Sequence, residues 1–266
     1  MAYQKRLEKK LRRRENRYET ESLMKEKRSE EYEALEQVFD RSTLMTIYDF
    51  MNKGVIDEIY GSVKAGKESK LYWGKDKEGR ILAIKIFLTV SAEFKKGMIV
   101  YIEGDPRFRK VKHDTRSLIY AWTHKEFRNL EEARRAGVRV PEPIEVRNNV
   151  LIMEFIGKNG VTAPLLREIE LPKPQRVYER LLVNVGKLYQ KAGLVHGDLS
   201  EYNVMIWRGY PVIFDMSQAV SVKHPMADEF LRRDINNVNY YFKKIGVEVY
   251  SPEETYRRVT GTHGSS

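Results

Sequence analysis

The sequence predicts an α+β protein of two lobes, the first β-rich and the second helical. Three observations carry that prediction. Runs of β-branched and aromatic residues fill the stretch from Val55 to Ile156, apolar residues at helical spacing take over after Pro174, and Gly157 lies between the two as a short link. With 266 residues and 41% apolar content, the chain is long enough to bury an ordinary core. The pattern divides it into a basic helical extension at 1–54, a β-rich lobe at 55–156 with a flexible insertion at 88–120, and a helical lobe at 157–266. A cleft is predicted between the lobes.

Each element has its own signal. Residues 1–30 hold 11 Lys/Arg against 6 Glu, half of the net charge of +10, and read as a solvated helix or arm suited to an anionic partner. In "DRSTLMTIYDFMNKG", Asp40 and Ser42 are cap candidates, Leu44, Ile47, Tyr48 and Met51 make one apolar face, and Gly54 is a stop. "VIDEIYGSV" and "SKLYWGKDKEGRILAIKIF" are strands, with a charged turn from Lys75 to Gly79. Residues 88–120 show no clean period. "WTHKEFRNLEEARRAG" predicts a helix ending at Gly137, and "VPEPIEVRNNVLIMEFIG" a hairpin turning at Asn148 and Asn149. In "PQRVYERLLVNVGKLYQKAG", Val177, Leu181, Leu182, Val185, Leu188 and Tyr189 share a helix face.

Composition excludes several chemistries. Without cysteine there are no disulfides, no thiolate nucleophile and no cysteine-ligated metal. Five histidines, none in H-E-x-x-H, argue against a dedicated transition-metal site. No apolar run approaches ~20 residues and the N-terminus is charged, so the sequence predicts a cytoplasmic protein with no membrane partner.

What remains is a set of groups suited to phosphoryl transfer from ATP. That chemistry needs a lysine on the phosphates, an acid to hold the lysine, an aspartate to align the nucleophile, and oxygen ligands for magnesium. Lys85 lies in "ILAIKIF", too apolar on both sides for a solvated strand, with Ala83 on the same face. Glu126 on the following helix is placed to pair with it, and Glu131 and Glu132 are rivals. In "LVHGDLSEYNVM", Asp198 and Asn203 stand five apart, the spacing of D-L-x-x-x-N in kinase catalytic loops. Asp215 follows the apolar run "GYPVIF", and Asp and Asn oxygens suit Mg²⁺.

On these strings the chain resembles the kinase-like superfamily, and more narrowly the RIO family of atypical serine kinases. "LVHGDLSEYNVM" and "VIFDMSQAV" are similar to that family's catalytic and metal-binding loops. "GKESKLY", "AIKIF", "WTHKEFRNLEEARRAGVRVPEPI" and "LIMEFIGKNGVTAPLL" resemble its first branch, at a length like that of archaeal members. The resemblance implies a bilobal protein-kinase-like fold with a truncated helical large lobe. It also implies ATP and Mg²⁺ as cofactors, with Mn²⁺ as a substitute. Lys85 would contact the phosphates with Glu126 as its partner, Asp198 would be the catalytic aspartate, and Asn203 and Asp215 would hold the metal. Met153 would be the gatekeeper, Glu154 and Ile156 would meet adenine through their backbone, and Ser69 would lie in the phosphate-covering loop. That loop, "GSVKAGKES", lacks G-x-G-x-x-G. The family further implies autophosphorylation or a phosphorylated Asp215, ATP turnover, and a role in small ribosomal subunit maturation, where the basic N-terminus would meet rRNA.

Departures from ordinary protein kinases are plain. Asp215 is followed by Met-Ser-Gln, no A-P-E occurs, and 51 residues follow Asp215, so the usual peptide-binding half is not expected. Two other readings use the same groups. A small-molecule phosphotransferase of the aminoglycoside or choline kinase type also carries "HGD", and a nucleotide-gated assembly factor would need ATP binding more than catalysis.

Overall fold

A computed structural model describes Leu35 and residues 38–262, apart from Lys67, Val90, Ser91, Arg109, Lys110 and His113. The basic stretch 1–30 lies outside these residues. The chain divides into two compact units, one running to Gly61 and including Gly74–Arg80, the other formed by Ser62–Trp73 and Ile81 onward.

In the smaller unit, helix α1 (Arg41–Asn52) starts at Asp40, whose carboxylate accepts the Thr43 N–H at 2.8 Å, and stops at Gly54 with φ +74°. Its buried residues are Thr43, Thr46, Ile47 and Phe50. The apolar face read from the sequence is thus rotated, with Leu44, Tyr48 and Met51 only half-buried. Thr46 can face inward because its hydroxyl donates to the Ser42 carbonyl at 2.9 Å, which hides its polar atom.

The sheet takes the order β1 (Glu58–Ala65), β2 (Ser69–Lys75), β3 (Ile81–Phe87), β5 (Val150–Glu154), β4 (Pro143–Arg147). Strand β3 is central, and Leu82 to Phe87 are all buried, as its apolar sequence requires. Its register pairs Ala83 with Met153 and Lys85 with Leu151. The β4–β5 hairpin turns at Asn148 and Asn149, and Asn148 takes φ 52°, a conformation asparagine tolerates.

Residues 88–120 are more regular than their lack of period suggests. They contain helix α2 (Ala92–Ile102), a 3₁₀ turn at Pro106–Phe108, and the start of helix α3 (Thr115–Arg135), which begins two turns before the expected Trp122. Phe87, Met98, Phe108, Ile119 and Trp122 form one apolar cluster drawn from four elements. Contacts supplied by different elements leave no periodic trace in any one of them.

The helical part holds α4 (Pro174–Gln190), α5 (Ala227–Lys244) and α6 (Pro252–Thr260). The large core runs through Leu181, Val185, Leu188, Phe230, Ile235 and Val238. Four short strands complete it: β8 (Leu194–Val195) pairs with β11 (Val220–Ser221), and β9 (Val204–Trp207) with β10 (Tyr210–Ile213). Two more, β6 (Gly157–Lys158) and β7 (Val161–Thr162), form a small ribbon. The β8–β9 loop carries Asp198 and Asn203, and Asp215 sits two residues past β10. No helix of the described residues is long and apolar enough to cross a membrane.

Candidate active site

Lys85 reaches the site from the middle of β3, and Glu126 from the buried face of α3. The Lys85 Nζ donates to both Glu126 carboxylate oxygens at 2.8 Å and to Asp215 Oδ1 at 2.9 Å. Lys85 is 8% exposed and Glu126 1%. Charges this deep persist only when paired and hydrogen-bonded. Glu131 instead pairs at the surface with Arg135, 3.2 Å away, and Glu132 is exposed, so of the three glutamates it is Glu126 that meets the lysine. Burial works against the Lys85 charge, but Asp215 and Glu126 outweigh it and hold the ammonium above the ordinary lysine range. Burial also pushes Glu126 up to about 7, against the pull of Lys85.

The β8–β9 loop is fixed from beneath by α5. Asp234, 1% exposed, accepts the N–H groups of Gly197 and Leu199, each at 2.8 Å. Asn237 donates to the Leu199 carbonyl at 3.1 Å, and Arg233 donates to the Gly197 carbonyl. Burial drives Asp234 up to about 6, opposed by His196 and the two amides. His196 Nδ1 accepts the Asp198 N–H at 3.3 Å, so its Nε2 carries the proton and donates to the Phe214 carbonyl at 3.0 Å. Phe214 N–H donates to the Asn203 carbonyl at 3.1 Å. The loop bearing Asp198 and the segment bearing Asp215 are thereby locked together. None of Arg233, Asp234 or Asn237 was legible as a site residue. The available signal was Asp234 standing on the apolar face made by Phe230, Leu231, Ile235 and Val238.

The unpaired oxygens decide what the site can hold. Asn203 Nδ2 donates to the Asp198 carbonyl at 2.6 Å and to Asp198 Oδ2 at 3.1 Å, which leaves Asn203 Oδ1 free among the described residues. Asp215 Oδ1 accepts from Lys85 and from the Ser217 hydroxyl at 3.0 Å, and Asp215 Oδ2 has no donor among the described residues. Two hard oxygens without partners fit a hydrated magnesium ion. Burial raises the Asp215 carboxyl but Lys85 more than reverses it, so Asp215 is held below the usual carboxylate range. Asp198 is shifted up by its packed surroundings, with His196 and Asn203 opposing. Asp215 has φ 59°, a conformation costing a non-glycine residue ~1–3 kcal/mol that persists only where the surroundings enforce it.

The remaining predicted residues lie on β2, on β5 and just past it. Ser69 opens β2, and its carbonyl accepts the Gly66 N–H at 2.9 Å, closing a tight turn; its hydroxyl makes no bond to the Lys85 cluster. Its neighbour Glu68, passed over in the sequence, has its carboxyl raised by burial and by the Asp215 charge, with Lys85 opposing, and so lies within electrostatic reach of both. Met153 lies across from Ala83 and is half-buried. The Glu154 side chain is held by Arg139 in two bonds of 2.8 Å, and its N–H donates to the Glu142 carbonyl at 2.8 Å. The Ile156 carbonyl accepts from Ala163 at 2.8 Å, while its own N–H has no partner among the described residues. At Gly157 a side chain is excluded, since a Cβ would lie 2.2 Å from the Val161 carbonyl oxygen.

The RIO domain matches residues 70–255, well over half of the chain. The chain belongs to the RIO family of atypical serine/threonine kinases. It is 41% identical over 252 residues to the RIO-type serine/threonine-protein kinase Rio1 of Haloferax volcanii, covering 95% of this chain and 86% of that one. It is 36% identical to Rio1 of Methanocaldococcus jannaschii, covering 92% and 83%. With human serine/threonine-protein kinase RIO1 it shares 39% identity, but spans only 40% of that longer protein. These Rio1 relatives agree with the first-branch strings and with an archaeal-like length. Among solved structures, the Rio2 kinase–ADP/Mg²⁺–phosphoaspartate complex from Chaetomium thermophilum aligns with a TM-score of 0.62 at 22% identity, covering 82% of this chain and 66% of that one. That likeness shows the fold, the bilobal protein-kinase-like α+β arrangement that the sequence predicts. Family membership sets aside the aminoglycoside or choline kinase reading.

Proposed function

We propose that the protein is an ATP- and magnesium-dependent RIO-type kinase that also turns ATP over slowly, with its chemistry centred on Lys85, Asp198, Asn203 and Asp215. The observation that carries this is the asymmetric pairing of the acids. Asp215 spends one oxygen on Lys85 and Ser217, and Asn203 turns its amide NH₂ to Asp198, so both present a bare oxygen. Asn203 Oδ1 and Asp215 Oδ2 would hold the magnesium, which supplies charge neutralisation on the phosphates when bound.

The chain's own residues account for the rest. Lys85, kept charged by its two carboxylates, would turn the N–H that now meets Asp215 Oδ1 to a phosphate oxygen while Glu126 keeps the other two. Glu126 orients it. Asp198 aligns the acceptor, hydroxyl or water, and takes its proton. The free Ile156 N–H and the Glu154 carbonyl bind adenine behind Met153, and the Gly66–Ser69 turn covers the phosphates. Residues 55–156 form the nucleotide-covering lobe in this reading and residues 157–266 the acid-bearing lobe. The Asp215 carboxylate is also the acceptor of the γ-phosphoryl group: it forms the new P–O bond as the bond to the departing ADP oxygen breaks, and a water whose proton Asp198 takes later cleaves the acyl phosphate to inorganic phosphate and free Asp215. The solved Rio2 relative named with phosphoaspartate supports this step by kinship.

Asp198→Ala is expected to lower ATP turnover by ~10²-fold or more, the scale of a lost general base. Unchanged turnover would remove Asp198 from the mechanism. The family and the net charge of +5 over residues 1–30 support a further role in small ribosomal subunit maturation through rRNA contact. Association with small-subunit precursors should weaken with salt and on deletion of residues 1–30, and equal binding by the shortened chain would refute the contact.

A further inference from the structure

A second buried polar cluster hangs from α3 and grips the segment that follows Asp215. Asn129 Nδ2 donates to the carbonyls of Met216 at 2.8 Å and Ala219 at 3.0 Å. Its Oδ1 accepts from Arg107 Nη1 at 2.8 Å. Arg107 is in turn held by Asp105, with Nε to Oδ1 at 2.9 Å and Nη2 to Oδ2 at 2.6 Å. One turn earlier on α3, the Lys125 Nζ donates to the Ser217 carbonyl at 2.8 Å and lies 4.4 Å from the Trp122 ring centroid.

Three carbonyls of a segment with little regular structure, those of Met216, Ser217 and Ala219, are therefore each satisfied from α3. Buried carbonyls need such donors, and here the donors also fix direction. A guanidinium can only donate, so Arg107 dictates which end of Asn129 is the oxygen and turns its NH₂ toward the two carbonyls. The segment they hold contains Ser217, whose hydroxyl anchors Asp215 Oδ1, and adjoins Asp215 with its φ of 59°. With Ser217 held on Oδ1, Asp215 Oδ2 is left without a donor among the described residues.

We propose that Asn129, braced by Arg107 and seconded by Lys125, is a positioning residue that sets Asp215 for magnesium-bound nucleotide. The proposal rests on the nucleotide-site reading above. Asn129 itself touches neither nucleotide nor metal. The informative change is Asn129→Asp, which keeps the acceptor for Arg107 and removes both carbonyl donors. Arg107→Gln, at a partly exposed side chain, leaves Asn129 in place but frees its amide to turn over, and Arg107→Lys retains a donor.

The measurements are ADP affinity with and without Mg²⁺, hydrogen exchange of the 216–220 backbone in nucleotide-free protein, and single-turnover ATP cleavage. Asn129→Asp should bind metal-free ADP like the parent and lose about tenfold or more in the Mg²⁺-dependent part of the affinity, the usual scale for an outer positioning group. Exchange at 216–220 should speed up and turnover at saturating ATP should fall in parallel. Arg107→Gln should move the same way by a smaller factor, and Arg107→Lys should restore the parent's behaviour. If folded Arg107→Gln and Asn129→Asp keep the parent's Mg²⁺ response, the cluster is a strut and the proposal is wrong. A parent protein without Mg²⁺-dependent ADP binding would overturn the nucleotide reading and this inference with it.

Discussion

Helix α3 carries two buried polar clusters about one turn apart, and they differ in what they leave unused. The Asn129 amide is fully used, its Nδ2 donating to two carbonyls and its Oδ1 accepting from Arg107. Around Glu126 the lysine is held by carboxylates, but the residues beyond it still offer Asp215 Oδ2 and Asn203 Oδ1. Buried polar groups on their own therefore do not identify a site. A saturated network orders backbone, and an unsaturated one has capacity for a ligand.

The sharpest way to break the comparison is at Lys85. Lys85→Met should abolish measurable ATP turnover, a loss of ~10²–10³-fold or more. It should also destabilise the fold by about 3 kcal/mol, because Glu126 is left buried without its counter-ion. A variant of parental stability would mean that the pair contributes nothing to folding.

A smaller effect separates the two acids on Lys85. Glu126, raised to about 7, takes up a proton as the pH falls through that value and loosens its hold on the lysine. Turnover should therefore decline on the acid side with an apparent pKa near about 7. Glu126→Gln should be slower throughout and lack that limb. Retention of the limb in Glu126→Gln would assign it to another group. At the bottom of the scale, Glu131→Ala should change stability by no more than ~0.5 kcal/mol, since its partner Arg135 is 74% exposed. A larger loss in thermal melting would show that the rival glutamate had been dismissed too soon.

Much of this site was legible in the sequence because its residues interrupt apolar runs. Lys85 within "ILAIKIF" stands where an unpaired charge would be costly, and Asp198 and Asn203 after "LVHG" and Asp215 after "PVIF" are polar groups set directly against apolar runs. The residues that were not legible depend on which elements face one another. Asp234 lies 36 residues beyond Asp198 and acts on backbone, not on a side chain. Lys125 and Asn129 look like ordinary polar positions of a charged helix until the 216–219 carbonyls arrive. The same holds for the fold. The β4–β5 hairpin and α4 follow from local pattern, whereas α2, with Gly97 in its middle, is stabilised by an apolar cluster shared among several elements.

The most direct test of the unsaturated pole is to trap phosphate on it. After a single turnover with ATP labelled in the γ-phosphate, the account predicts a protein-bound label that hydroxylamine removes, as an acyl phosphate requires, and that is absent from Asp215→Asn. A label that survives hydroxylamine, or persists in Asp215→Asn, would place the phosphate on a hydroxyl instead and contradict the role of the Asp215 carboxylate as phosphoryl acceptor.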